Sequence, residues 1–359
     1  MSDWLVHLIQ VGPMGKHPNA DSLSITQVYG QNIVCRTDSF KEGDLAVFIP
    51  PDSVMPADKD HVIYKDNPGL KLGQCIDAVR LRGIFSNGFM VPASVFFTEA
   101  ELKDIPIGTH VAERIGITKY QDNGDLLSTR GDNERDPGYM PTYTDIEGWP
   151  KNRFYIQEGE QVVLTEKIHG ANARFCYRDD RLWVGSRTGI KAQGIRADGT
   201  ETNMWWSVAK NINLADKFKQ LQLQPTVDGV PTWDLALYGE VYGQVQDLKY
   251  GVSSGAQFRL FDVYSPSLGR YVDWDVVVRV AAIMGLDIVP ELYRGPWKAE
   301  LEGMRNGPSM LYPGHTREGF VIKPVIEQEV LYNPEKRSSF YGRTIFKMIG
   351  EDYKLRKRK

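Results

Sequence analysis

From Trp4 to about Tyr120 the apolar residues come in short runs, each stopped by turn formers before a long helix could be built. The runs Trp4–Val11, Leu23–Tyr29, Asn32–Arg36, Leu45–Ile49, Cys75–Leu81 and Gly88–Val91 are punctuated by His17-Pro18-Asn19, Gly43-Asp44, Pro50-Pro51 and Asn67-Pro68-Gly69. Proline and glycine end regular structure at those points. Short strands at this spacing predict a small antiparallel barrel over residues 1–120.

The pattern changes at residue 121. Asp122, Asp125, Asp132, Glu134, Asp136, Asp145 and Glu147 face only Arg130 and Arg135, among Gly and Pro, so residues 121–150 are expected to be an acidic linker or surface excursion. Beyond it the apolar runs Val162-Val163-Leu164, Ala236-Leu237-Tyr238, Phe258–Val263 and Gly319–Ile322 alternate with helix-like stretches, Asn203–Phe218 and Trp274–Met284. An α+β domain over residues 151–359 is expected.

A chain of 359 residues, 42% hydrophobic and 25% charged, is long enough for two domains with cores of their own and lies in the ordinary globular range. The N-terminus reaches Asp3 before any basic residue and lacks the pattern of a signal peptide. No segment approaches the roughly 18 apolar residues of a membrane-spanning helix, so a soluble, intracellular, cytoplasmic protein without a membrane partner is expected. Cys35, Cys75 and Cys176 are scattered and fit no metal-binding spacing; they are expected to be buried thiols.

Several nucleotide and hydrolase chemistries are excluded by motif. The Gly15-Lys16 pair is followed by His17, which rules out a P-loop, and G-x-G-x-x-G and H-E-x-x-H are missing. What remains begins at Lys167-Ile168-His169-Gly170. A lone K-x-x-G says little, since Lys191-Ala192-Gln193-Gly194 and Lys347-Met348-Ile349-Gly350 share it. Lys167 is distinguished by its place between two apolar strands, at a junction that would face a cleft. Ser186-Arg187, Tyr238-Gly239-Glu240, Phe258–Val263, Glu318-Gly319-Phe320-Val321-Ile322-Lys323-Pro324 and Phe346-Lys347 follow in that order.

A lysine amine attacks phosphorus only when neutral, so burial or neighbouring cations such as Lys323 and Lys347 would have to lower its pKa. The same cations would offset charge developing on an α-phosphate. Phe261 could stack on a base, Glu240 accept from ribose hydroxyls, Arg187 grip a phosphate and Glu318 offer hard oxygens to Mg²⁺. Taken singly, such residues are ordinary surface charges and core rings. Their order decides otherwise.

With these motifs in this order, the chain resembles the covalent nucleotidyltransferase superfamily of polynucleotide ligases and capping enzymes. Its Lys-Ile-His-Gly-Ala-Asn is similar to the K-x-H-G-x-N of phage and RNA-editing RNA ligases, where many DNA ligases carry Asp in place of His169. The resemblance implies that Lys167 is the nucleophile and that His169 and Asn172 serve the steps after lysine adenylylation. It assigns Arg187, Glu240, Phe261, Lys323 and Lys347 to ATP and Glu318 to the metal. One departure is that the last motif reads Lys347-Met348-Ile349 where many relatives have K-x-K, leaving Lys347 to act alone.

At the N-terminus, His17-Pro18-Asn19-Ala20-Asp21-Ser22-Leu23 and Arg80-Leu81-Arg82-Gly83-Ile84-Phe85-Ser86-Asn87-Gly88 resemble signatures of OB-fold tRNA-binding domains. An N-terminal OB-like barrel followed by a nucleotidyltransferase domain of antiparallel sheets and flanking helices resembles the Deinococcus-type RNA ligases. That implies ATP as adenylyl donor, Mg²⁺ or Mn²⁺ as cofactor, and a nicked RNA-containing duplex as partner. Lys71, Arg80, Arg82 and Lys16 are its candidate contacts in the barrel, and a monomer is expected. A DNA ligase, a guanylyltransferase and a non-catalytic RNA-binding protein are the alternatives.

The overall charge of −3 conceals an uneven distribution. Residues 1–120, 121–150 and 151–359 carry nets of −3, −5 and +5, so the positive charge lies with the proposed phosphate chemistry. The basic tail, Lys354, Arg356, Lys357, Arg358 and Lys359, is expected to be a solvated end.

Overall fold

The computed structural model describes residues 4–120, 133–197, 199–330 and 342–356. Residues 121–132 of the expected connector, and Lys357, Arg358 and Lys359 of the tail, lie outside them. The chain divides into two compact units, Met1–Asp122 with Lys354–Lys357, and Asn123–Tyr353 with Arg358–Lys359.

The first unit is built of short antiparallel sheets. His7–Gln10, Leu45–Ile49 and Phe89–Pro92 form one, Gly15–Lys16, Leu23–Val28 and Gln31–Arg36 another, and two strand pairs join Ser53–Val54 to Thr118–Lys119 and Val79–Leu81 to Ile84–Ser86. Side chains alternate across a strand, and both faces of the first sheet are covered. Leu8, Val47, Ile49 and Val91 enter one apolar cluster, while Ile9, Ala46, Phe48 and Met90 enter a second with Val28 and Ile33.

The two motifs singled out at this end are bonded to each other. His17 is 1% exposed; its Nε2 donates to Leu81 O at 3.1 Å, leaving Nδ1 to accept from Asn19 N at 3.0 Å. Asn19 Nδ2 donates to Arg82 O at 3.0 Å. Arg82 and Gly83 form the hairpin turn with φ of 45° and 92°, the left-handed pair that a two-residue hairpin turn needs. Arg80, Arg82 and Lys71 are exposed, and Lys16 pairs with Asp21 at 3.1 Å. Lys354 departs from the expected solvated end, because its Nζ donates to Asn87 Oδ1 at 2.7 Å.

The second unit holds a seven-stranded sheet in the order Asn133–Glu134, Ile190–Lys191, Arg181–Ser186, Ala171–Arg178, Ala236–Gly243, Ala256–Ser265, Arg270–Tyr271. A five-stranded sheet runs Glu147–Gly148, Phe346–Ile349, Gly319–Pro324, Gln161–Lys167, Glu291–Pro296. Helices Met204–Asn211, Leu214–Gln222 and Trp274–Met284 cover one face of the larger sheet through Phe218, Leu221, Val277 and Val280, packed with Phe175, Leu237 and Leu260.

Three further expectations are revised here. The stretch Asn203–Phe218 is two helices, because Asn213 stands at φ 52° between them, and Asn tolerates the left-handed region that ends a helix. Residues 133–150 are no surface excursion: Met140, Tyr143 and Trp149 are at most 5% exposed and Asn133–Glu134 adds a strand to the larger sheet. Their aromatic and apolar content outweighs the acidic count. Cys176 is buried, but Cys35 and Cys75 are only partly so. Among the described residues no helix is long and apolar enough to cross a membrane.

Candidate active site

Alternation along the Gln161–Lys167 strand sets up the site. Val162 and Leu164 enter a core with Phe320, Ile322, Phe346 and Met348, so Val163, Thr165 and Lys167 take the opposite face. Register then fixes the neighbours. Thr165 stands opposite Val321, which stands opposite Lys347, and Val163 stands opposite Lys323. Lys167, Lys323 and Lys347 therefore lie on one face of the smaller sheet. They are distant in sequence and share a face only through pairing.

Lys167 Nζ donates to Glu318 Oε1 at 2.6 Å. Burial works against the ammonium charge, but the Glu318 carboxylate, and after it Glu240, outweigh burial and hold the Lys167 pKa above the usual lysine value. This corrects the expectation that Lys323 and Lys347 depress it: the groups against Lys167 are carboxylates. Burial raises the Glu318 carboxyl too, yet Lys167 and His169 overcome that and bring it down to about 2. Glu240 shifts the other way. Burial, with Glu318 adding to it against the pull of Lys167, pushes its carboxyl up to about 8.

The turn after Lys167 is tightly constrained. A Cβ on Gly170 would stand 2.3 Å from Val241 O and 3.0 Å from Glu240 Cγ. Only glycine lets the turn lie against that strand. His169 Nδ1 lies 2.9 Å from Tyr353 OH and 3.7 Å from Glu318 Oε2, while Nε2 lies 2.7 Å from Asp247 Oδ1. Asn172 is directly opposite Glu240 in the larger sheet, and its Oδ1 is buried without a hydrogen-bond partner.

Phe261 occupies a β-bulge. Tyr238 pairs with Asp262 and Gly239 with Leu260, which leaves Phe261 as the extra residue. The slip in phase puts Phe261 and Asp262 on the same side, where Phe261 meets Tyr143 with ring centroids 5.0 Å apart and Tyr143 OH donates to Asp262 Oδ2 at 2.8 Å. Asp262 also anchors two cations, Lys323 at 3.0 Å and Arg343 at 2.8 Å. Burial raises this carboxyl, but Arg343 and Lys323 together hold it below the usual range.

The predicted set is thus divided. Lys167, His169, Asn172, Glu240 and Glu318 converge. Lys323 shares the sheet face of Lys167, but it is 4% exposed and its ammonium is committed to Asp262 and the Trp274 ring, because a buried cation requires a counter-charge. Arg187 is ion-paired with Asp145. Lys71, Arg80 and Arg82 belong to the first unit. Sequence reasoning missed Asp247, Tyr250, Asp262, Arg343 and Tyr353. Asp262 alone had a signal, its place beside Phe261 in an apolar strand.

Comparison with known proteins follows the same division. A family model described as RNA ligase matches residues 160–349, and an OB-fold domain model matches residues 5–93. The fold is similar to that of Naegleria gruberi RNA ligase: a variant solved with ATP and Mn superposes with a TM-score of 0.74 at 23% identity, covering 98% of both chains. The form with PPi gives a TM-score of 0.71 at 22% identity, covering 98% of this chain and 97% of that one. The phenylalanine–tRNA ligase beta subunit of Oceanobacillus iheyensis is 26% identical over 215 residues, half of this chain, and this match spans about a quarter (24%) of that protein.

Proposed function

The chain belongs to the RNA ligase family, and we propose that it seals a 3′-OH to a 5′-phosphate at nicks whose 3′-OH strand is RNA, through a covalent lysyl–AMP on Lys167. The observation that carries this reading is the meeting of Lys167, on a face of the smaller sheet that also bears Lys347, with Glu318 and with Glu240 of the larger sheet. ATP and Mn accompany the similar Naegleria ligase structure, which supports ATP as donor and a divalent ion as cofactor.

The cycle has three displacements. The neutral Lys167 amine attacks the α-phosphorus of ATP, giving up a proton and forming P–N as pyrophosphate leaves. An oxygen of the RNA 5′-phosphate then attacks the same phosphorus, P–N breaks and the amine regains its proton. Finally the 3′-OH attacks the activated 5′-phosphorus, loses its proton and expels AMP.

Each residue has a task in it. Burial favours the neutral amine once Glu318 turns to another cation. Glu240, with its pKa near 8, is largely protonated at neutral pH, so it offers a ribose hydroxyl both a donor and an acceptor. Phe261 is assigned to stack on adenine, and Lys347 to the phosphates. His169 and Asn172 are assigned to the later displacements, Arg187 to a phosphate after release from Asp145, and Arg80, Arg82 and Lys71 to the duplex backbone. Glu318 Oε2 is buried without a hydrogen bond, which fits a hard cation. Among the described residues no three or more His, Cys, Asp or Glu are arranged to hold a metal ion between them, so Glu318 would share Mg²⁺ or Mn²⁺ with phosphate and water oxygens, the usual habit of Mg²⁺. Such an ion supplies charge neutralisation at phosphorus.

Incubation with α-labelled ATP or GTP and Mg²⁺, followed by denaturing electrophoresis, tests the reading. Label from ATP on wild type and none on Lys167→Ala is expected. No label at all favours a non-catalytic RNA-binding protein, and label from GTP alone a capping-type enzyme. Nicked duplexes with RNA or DNA 3′ ends then separate RNA from DNA ligase.

A further inference from the structure

The segment that follows the Ala236–Gly243 strand touches the Lys-Ile-His-Gly turn at three points. Gln246 Nε2 donates to Gly170 O at 2.7 Å, His169 N donates to Tyr250 OH at 2.6 Å, and Asp247 Oδ1 stands 2.7 Å from His169 Nε2. Asp247 is itself held, since Leu248 N donates to the same Oδ1 at 3.0 Å. Tyr353 OH closes the other side of the imidazole, 2.9 Å from Nδ1.

Tyr250 shows how strongly this arrangement is imposed. It is 5% exposed and has φ of 51°, a left-handed conformation that is unfavourable for a bulky residue and persists only where its surroundings enforce it. Its ring meets Tyr242 and His315 edge-on at 5.4 and 4.7 Å. The strained backbone serves to aim one hydroxyl at the His169 N–H.

An imidazole with a carboxylate on one nitrogen and a phenol on the other is restricted to a single orientation, because rotation about its side-chain bonds would lose both contacts. We propose that Asp247 and Tyr353 are positioning residues for His169, and that Gln246–Tyr250 clamps the turn carrying Lys167 and His169. Neither residue lies in the motifs that identify the family. The inference rests on the assignment of His169 to the steps after lysine adenylylation.

The test is a pair of double-mutant cycles, His169→Ala with Asp247→Asn and His169→Ala with Tyr353→Phe, with lysine adenylylation and sealing of a pre-adenylylated nick measured separately. Each single positioning variant is expected to lower sealing at least about tenfold relative to adenylylation. In the His169→Ala background the same change should cost less than about twofold, the signature of residues acting through one another. Losses that multiply would overturn the proposal, as would losses shared equally by both steps. Tyr353→Phe removes one hydroxyl and carries the test if Asp247→Asn melts below the assay temperature. Should His169→Ala instead impair adenylylation, its assignment to the late steps fails, and the cycles still report coupling in the step that His169 serves.

Discussion

Lys167 Nζ and Glu318 Oε1 are 2.6 Å apart, so the candidate nucleophile is held as the protonated half of an ion pair. Glu318→Gln removes its main counter-charge and leaves burial to act. The Lys167 pKa should fall, and its reaction with trinitrobenzenesulfonate at pH 8, followed by peptide mass spectrometry, should rise about tenfold for each unit of that fall. An unchanged reactivity profile would show that Glu318 does not hold the charge.

Glu240 predicts a pH dependence of stability. Its carboxyl lies at about 8 in the folded protein against 4.5 ordinarily, so between those values the folded state keeps a proton that the unfolded chain gives up. Stability then falls as pH rises through that window, by about 1.4 kcal/mol for each tenfold difference in proton affinity. Glu318 acts in the opposite sense: held at about 2, it contributes stability above pH 4.5 that is lost as pH drops towards 2. Urea midpoints at pH 5 and 8 should differ in wild type and converge in Glu240→Gln.

For His169→Ala the expected outcome is retained lysine adenylylation with sealing reduced roughly a hundredfold, as for loss of a group used only in later transition states. Failure to take up label from ATP would contradict this.

Gly170→Ala places a methyl group 2.3 Å from Val241 O, and the backbone there cannot yield without moving Glu240. A destabilisation of about 1–3 kcal/mol is expected, seen as a lower denaturation midpoint with unchanged slope.

Arg82→Ala should weaken binding to nicked duplexes evenly across sequences and reduce the slope of log affinity against log salt by about one, the mark of a lost phosphate contact. Label on Lys167 from ATP should be unaffected. A change in sequence preference would instead indicate base contact.

Much of this was legible in the chain because it is local. The strand at Leu45–Ile49 and the helix at Trp274–Met284 appear with the bounds their apolar pattern gives, and Lys167, Glu240 and Glu318 stand out by motif. Lys323 illustrates the limit. Its motif marks it as a site cation, but Asp262, 61 positions away and in the other sheet, claims it through a tertiary contact that no short-range pattern encodes. Asp247 and Tyr353 were invisible for a related reason: each gains meaning only from the ring of His169. Residues 133–150 misled because their charge was weighed above Tyr143 and Trp149, whose burial decides where the segment goes.

The unpaired residue at Phe261 has a bearing on redesign. Neighbouring positions in a strand normally serve opposite surfaces and can be altered independently, but here an aromatic ring and the anchor of two cations come from consecutive positions on one side. Deleting any residue between Phe258 and Asp262 would restore strict alternation and turn either the ring or the carboxylate away, stranding Lys323 and Arg343 without their shared anion. The base stacking proposed for position 261 and integrity of the fold at 262 are thus one engineering problem, and variants at the first need compensation tested at the second.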